Sequence, residues 1–259
     1  MNLLLFEPEE LDGIHLKLSD RRAEHIIHVL GLKPGDTLKT GMVNGNTGTA
    51  RVISQDRNEL ELEVHLSALP PDEPLVELIL ALPRPIMLRR ILKQGTVLGV
   101  RRFHLIRTKR VHKSFFQTSL LEPEKLKEIL LQGLEQTADT RLPEVLVHNR
   151  FMPFIERFVP ALQPQCRILA HPQESAMLSE LFAAGKINKS FCLAVGPEGG
   201  WSRYEIGQFT RQGFHCFSMG RRILHVDTAV VALLAQLRLL GNLYALDLCR
   251  PSMNRGGHG

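Results

Sequence analysis

Over the first 70 residues apolar and polar positions alternate in short runs, as in Thr49–Ile53 and Leu60–Leu66. Turn-forming clusters separate them, Gly31-Leu32-Lys33-Pro34-Gly35-Asp36 and Asn44-Gly45-Asn46-Thr47-Gly48. A period of two puts successive side chains on opposite faces of a strand, so residues 1–70 are expected to form a small, mostly β domain. The stretch Leu69-Pro70-Pro71-Asp72-Glu73-Pro74 follows. Its prolines disfavour helix and central strand, so it reads as a linker with a domain boundary near residue 72.

Past the linker the pattern changes to apolar runs alternating with helical periodicity. Strands are expected at Leu75–Leu82, Phe103–Ile106, Glu144–Val147, Cys166–Ala170, Phe191–Val195 and Cys216–Met219. Helices are expected at Met87–Leu98, Pro123–Gln136, Pro153–Leu162, Glu174–Ala184, Arg203–Gln212 and Asp227–Leu240. Such alternation predicts an α/β domain, over 74–246, around a mostly parallel sheet. In the second helix Leu126, Ile129, Leu130 and Leu134 make one apolar stripe. The last helix is apolar nearly all round and calls for cover on more than one side. Gln236, Arg238 and Asn242 interrupt Val230–Leu246, which reads as a buried helix and not a bilayer span. The tail Arg250–Gly259, with three glycines and a proline, is expected to be disordered.

Composition changes this picture little. With 259 residues, 44% of them hydrophobic, the chain can bury a core in each of two unequal domains. The start MNLLLFEPEE lacks a basic flank and a signal-length apolar run, which points to the cytoplasm. Cys166, Cys192, Cys216 and Cys249 lie too far apart for a CxxC or zinc pattern and read as core thiols, with no metal expected. A net charge of +5 is ordinary for this length. The clustering of cations at Met87–Lys93, Val100–Lys113 and Arg221–Arg222 fits a polyanionic partner, although solvated helix faces explain any single cluster as well.

The chemistry concentrates in two loops. Strand Phe191–Val195 runs into Gly196-Pro197-Glu198-Gly199-Gly200, and Ser202 and Glu205 then have capping-box spacing for a helix. Three glycines in five residues let a ligand approach the main chain closely; a tight connection that binds nothing is the plain alternative. Met219-Gly220-Arg221-Arg222-Ile223-Leu224-His225-Val226-Asp227-Thr228 again leaves a strand through a glycine and enters a helix. Two such loops at carboxyl ends of neighbouring strands make one pocket. GxxxxGK[ST] is absent and GPEGG is not GxGxxG, so ATP chemistry and a dinucleotide-dependent oxidoreductase are poorly supported.

LAVGPEGGWSRYEI followed by MGRRILHVDTA resembles the paired C-terminal motifs of the RsmE-type SPOUT RNA methyltransferases, and GLEQTADTRLPEV and HIIHVLGLKPGD resemble two upstream segments of that family. The resemblance implies a C-terminal α/β trefoil-knot domain behind an N-terminal PUA-like, RNA-binding β-barrel, and a homodimer. It also implies S-adenosylmethionine-dependent methylation of a uridine ring nitrogen in 16S ribosomal RNA of the small subunit. Carried over, Gly196, Glu198, Gly199 and Gly200 would line one donor loop, Met219, Gly220, Ile223 and Leu224 a second, and Leu169, Ala170 and His171 a third. The chain departs from the family pattern at Gly31, at Thr137-Ala138-Asp139-Thr140-Arg141 and at His225-Val226-Asp227, where it lacks family arginines and has Asp for Glu.

Methylating that nitrogen requires its proton to leave while negative charge builds on the flanking carbonyls. Arg110 is the candidate for the oxyanion or a phosphate, with Glu198 and Asp227 as nearby carboxylates. Arg22, Lys33, Arg84, Gln136, Arg141 and Arg222 are the candidates for RNA contacts. An RNA-binding ribosome-assembly factor on the same fold, and a methyltransferase with another RNA target, stand as alternatives.

Overall fold

A computed structural model describes residues 2–57, 59–164 and 166–249, with side chains through residue 243. The tail 250–259 expected to be disordered lies outside the described residues, as does the side chain of Cys249. The chain forms two compact units. The first is Met1–Asp72 with Lys127–Leu142, and the second is Glu73–Leu126 with the residues from Pro143 onward. The inclusion of 127–142 in the first unit is not visible in the linear pattern, which runs 74–246 as one domain.

In the first unit β1 (Leu4–Phe6), β2 (Leu11–Asp12), β3 (His15–Leu18), β4 (Thr37–Met42), β5 (Thr47–Asp56) and β6 (Glu59–Ala68) form a curled half-barrel in the order β1-β4-β5-β6-β3-β2. Leu16, Leu18, Leu60, Leu62 and Val64 alternate inward and meet Leu4, Phe6, Ala50 and Val52 in one core. Helix α1 (Arg21–Glu24) is capped by Asp20 and continues through a wider turn, His25–Leu30, that stops at Gly31. Gly31 has φ 65, the left-handed conformation that glycine adopts without steric cost, so this departure from the family pattern serves as a helix stop.

The segment Thr137–Arg141 is tied to the β4–β5 turn. Asn44 donates its N–H to the Thr140 carbonyl at 2.8 Å, the Thr140 hydroxyl donates to the Gly45 carbonyl at 2.5 Å, and Leu142 N–H donates to Asn44 Oδ1 at 2.9 Å. Thr140 is fully buried, and a Cβ on Gly41 would meet its methyl at 2.4 Å. These bonds hold the segment against the β4–β5 turn, and Asp139 Oδ1 accepts from Arg141 N–H at 3.0 Å within it. Arg22, expected to be free for RNA, is not: its guanidinium binds Glu10, Asp20 and the Leu5 carbonyl, and its side chain is only 13% exposed. Burial works against its charge, but the hydrogen bonds to Glu10 and Asp20 outweigh it and raise the pKa above the ordinary arginine value. Lys33 is exposed. Gln136 is exposed as well, while Arg141 donates to the Pro70 carbonyl at 3.3 Å.

The second unit contains β7 (Val76–Ala81), β8 (Arg102–Ile106), β9 (Glu144–His148), β10 (Cys166–Ala170), β11 (Phe191–Val195) and β12 (His215–Phe217), all parallel, in the order β12-β10-β11-β7-β8-β9. The helices are α2 (Pro85–Val97), α3 (Pro123–Leu134, whose part from Lys127 belongs to the first unit), α4 (Phe151–Pro153), α5 (Leu178–Ala183), α6 (Arg203–Arg211) and α7 (Val226–Cys249). Two expected helices are shorter. Pro153–Leu162 breaks into α4, a wider turn at Phe154–Phe158 and a tight turn at Val159–Ala161. The other begins at Leu178 and not at Glu174, because Met177 bridges to Ser218 and the Ala176 carbonyl accepts from Ser218 N–H, which holds the segment extended.

By length and composition α7 is apolar enough to cross a membrane. Here Val230, Leu233, Leu234 and Leu237 are fully buried and Arg238 binds the Leu98 carbonyl and Glu73, so one face of the helix packs into the second unit while Leu239 and Leu243 stay exposed. Cys166 and Cys192 are buried and Cys216 is half-buried; burial pushes all three thiols up.

Candidate active site

The glycine-rich turn leaves the centre of the parallel sheet. Every residue of β11 is buried, and the turn after it closes with Gly200 N–H donating to the Pro197 carbonyl at 2.7 Å, Gly200 at φ 73. Gly196 lies against the Trp201 indole, which a Cβ would approach to 3.0 Å. Trp201 in turn donates Nε1–H to the Ala170 carbonyl at 3.1 Å and packs edge-on to Phe209. The single tryptophan therefore pins the turn to the end of β10. Ser202 caps α6, and the buried Glu205 completes the capping box, accepting from Ser202 N–H at 2.7 Å. The other Glu205 oxygen accepts from Lys109 N–H at 2.7 Å, tying the loop after β8 to the same helix start.

Loops after β8, β10, β11 and β12 thus enclose a cavity of about 420 Å³ at the carboxyl edge of the sheet, within the roughly 300–1,000 Å³ usual for small-molecule sites. Of the expected donor residues, Ala170, His171, Gly196, Glu198, Gly199, Gly200, Ile223 and Leu224 line it. Leu169, Met219 and Gly220 do not. Leu169 is fully buried within β10, and Gly220, at φ 104, shapes the turn in which its N–H donates to Ser218 Oγ at 3.0 Å. Val226, Ala229, Ile206 and Trp201 also line the cavity. All four lie inside the motifs LAVGPEGGWSRYEI and MGRRILHVDTA, but position in a motif does not tell which way each side chain faces. Apolar walls and glycine main chain suit a flat heteroaromatic ring. One ring nitrogen of His171, Nδ1, is buried without a hydrogen-bond partner among the described residues. A buried polar atom left unpaired at a cavity wall is accounted for by a ligand that bonds to it.

The charged candidates separate in the same way. Arg110 lines the cavity and donates through Nη1 to the carbonyls of Gly199 and Gly200. A guanidinium has five N–H donors, so this anchoring leaves others available. Glu198 also lines the cavity and pairs with Arg84, Oε1 to Nη2 at 2.9 Å. Asp227 is not in the wall; it faces Arg90 at 3.5 Å. Arg222 is exposed on the loop from β12 to α7. Among the described residues no group of three or more His, Cys, Asp or Glu side chains is arranged to hold a metal ion.

Comparison with known proteins bears on what this cavity serves. A profile of the RNA methyltransferase domain matches residues 71–238. The ribosomal RNA small subunit methyltransferase E of Treponema pallidum is 32% identical over 97% of this chain and 96% of its own length. The chain belongs to this family. Its counterpart in Synechocystis is 28% identical over 92% of the chain and 77% of its own length. The crystal structure of the Neisseria gonorrhoeae enzyme, bound to S-adenosyl methionine, superposes with a TM-score of 0.71 at 21% identity, over 92% of this chain and 98% of that one. The shared fold pairs an N-terminal half-barrel with a C-terminal parallel-sheet domain of the trefoil-knot type. The protein is an RNA-modifying enzyme of ribosome biogenesis, which removes the non-catalytic assembly factor from consideration.

Proposed function

We propose that the protein transfers the methyl group of S-adenosylmethionine to ring nitrogen N3 of a uridine in small-subunit ribosomal RNA. Family membership supports the reaction class. The observation that carries the site is the cavity at the ends of β10, β11 and β12, with its glycine main chain, apolar walls and unpartnered His171 Nδ1. When bound there, the donor supplies a methyl group already activated by a positively charged sulfur.

The chain's own residues have three tasks. Gly196, Gly199 and Gly200 bring main-chain groups to the ligand, the buried Val226 closes the wall, and Ile223 and Leu224 supply apolar contact at the rim. Arg110, held at the rim by the Gly199 and Gly200 carbonyls, stabilises negative charge on a uracil carbonyl oxygen as the N3 proton leaves. Glu198 is the carboxylate placed in the wall to accept that proton directly or through water. Asp227 is a positioning residue in this reading, orienting the start of α7 through Arg90. The target base must be unpaired or flipped out, because a stacked and paired uridine does not expose N3. The first unit grips flanking RNA, with Lys33 the exposed candidate. The exposed Leu239 and Leu243 on α7 support a homodimer, which sedimentation velocity would detect.

The test is transfer of labelled methyl from S-adenosylmethionine to small ribosomal subunits from cells lacking the protein, followed by nucleoside mass analysis. Labelled 3-methyluridine is expected; a different methylated nucleoside would overturn the substrate assignment. Arg110→Ala is expected to lower the single-turnover rate at saturating donor about 100-fold. Loss of salt-dependent RNA affinity alone would remove its catalytic role.

A further inference from the structure

Beside the donor cavity lies a wider groove of about 1180 Å³, formed wholly within the second unit by the loop after β8, the β9–α4 junction and the first turn of α6. Five cations line it: Arg107, Lys109, Lys113, Arg150 and Arg203. None of the five has an ion-pair partner among the described residues. The only carboxylate in the lining, Glu205, is buried with both oxygens committed to Ser202 and to Lys109 N–H. Like charges gathered in one concavity repel each other, so five unpaired cations without a free carboxylate attract an extended polyanion.

Two further features narrow the ligand. Tyr204 lines the groove, 58% exposed, with its hydroxyl bonded to Met152 Sδ at 3.1 Å. An aromatic face held open beside cations suits an unpaired base, since stacking and phosphate contacts together define single-strand sites. Thr108, 4% exposed in the same lining, has an Oγ1 without a hydrogen-bond partner. An orphaned hydroxyl there gains nothing for the fold and is accounted for by a polar ligand. Arg203 lines both the groove and the donor cavity, so the two are contiguous.

We infer that this groove seats the single-stranded RNA flanking the target nucleotide, with phosphates on Lys109, Lys113, Arg150 and Arg203 and one base stacked on Tyr204. The inference rests on the proposed reading that the donor cavity methylates an RNA base. It adds a strand track that runs over the second unit to the cavity, separate from the grip of the first unit.

The test uses the full-length protein, a short labelled single-stranded RNA and calorimetry with S-adenosylmethionine. The double variant Lys113→Gln, Arg150→Gln removes two phosphate contacts. It is expected to lower the slope of log affinity against log salt by about 1.4 and to leave donor affinity unchanged. Tyr204→Leu is expected to weaken RNA binding roughly tenfold with the salt slope unchanged. RNA affinity and salt slope equal to those of the parent in both variants would overturn the inference. So would weakened binding to intact subunits with unchanged binding to the RNA, which would assign the groove to a ribosomal protein. Failure of the parent to bind the donor would instead overturn the methyl-transfer reading, and the RNA titrations would still decide the groove.

Discussion

In β3 and β6 of the first unit buried and outward positions alternate, so Leu16, Leu18, Leu60 and Leu62 enter the core while Lys17 and Glu59 remain in water. In β7 and β11 of the second unit every position is buried, including Glu77. A sheet with one wet face can place any polar residue outward. A parallel sheet covered on both faces has no such outlet, and a polar side chain within it must find a partner. Glu77 finds His104 Nε2 at 2.9 Å and Arg102 at 3.4 Å, and His104 Nδ1 lies 3.2 Å from His148 Nε2. The comparison predicts that polar substitutions are graded by face in the first unit and by partner in the second.

The largest effect is expected for Glu77→Ala, which leaves His104 without its buried carboxylate. The second unit should lose about 4 kcal/mol, read from the urea midpoint of the fluorescence of Trp201, the only tryptophan and located in that unit. A loss under 1 kcal/mol would mean the network is not what allows a carboxylate there. Leu16→Ala should cost the first unit about 3 kcal/mol. That unit contains neither Trp nor Tyr, so amide hydrogen exchange in β3 and β6 is the measurement.

Acid should sharpen the contrast. Burial, with added repulsion from His104, holds the His148 pKa at about 4, below its ordinary 6.5. The unfolded chain takes up this proton near pH 6.5 and the folded protein only near 4. The stabilising contribution is therefore complete above 6.5 and is lost as the pH falls to 4. The Trp201 transition should show this slope, and His148→Gln should flatten it. Smallest of all, Lys17→Thr, one residue from Leu16 on the outward face of β3, should change stability by no more than about 0.5 kcal/mol.

Much of this architecture was legible in advance because it follows from local periodicity. Cys166–Ala170 and Phe191–Val195 are strands with the expected ends, and the helix at Arg203 starts where Ser202 and Glu205 predicted a capping box. The short strands Leu4–Phe6 and Leu11–Asp12 escaped detection, because two or three residues carry no period. At the site, the glycine loop and the residues Ile223 and Leu224 were anticipated, while Leu169, Met219, Gly220 and Asp227 were not separable from true lining residues. Lining depends on which way a side chain or loop atom faces, and motif position does not encode that. Arg22 shows the same limit: its charge suggested RNA, but its partners Glu10 and Asp20 were invisible as partners until the fold brought them together.

The order of residues alone determined the strand and helix sequence, the break at the proline-rich linker and the motifs that mark an RNA methyltransferase. These depend on backbone preference and on apolar spacing, which act over a few residues. Only the tertiary structure decided that Lys127–Leu142 joins the first unit, that Arg110 reaches the glycine loop, and that cations from three separate loops line one groove. Those facts depend on which distant segments the strand order brings to the same edge of the sheet. Parallel strands require long crossovers, so neighbours in space are there far apart in the chain.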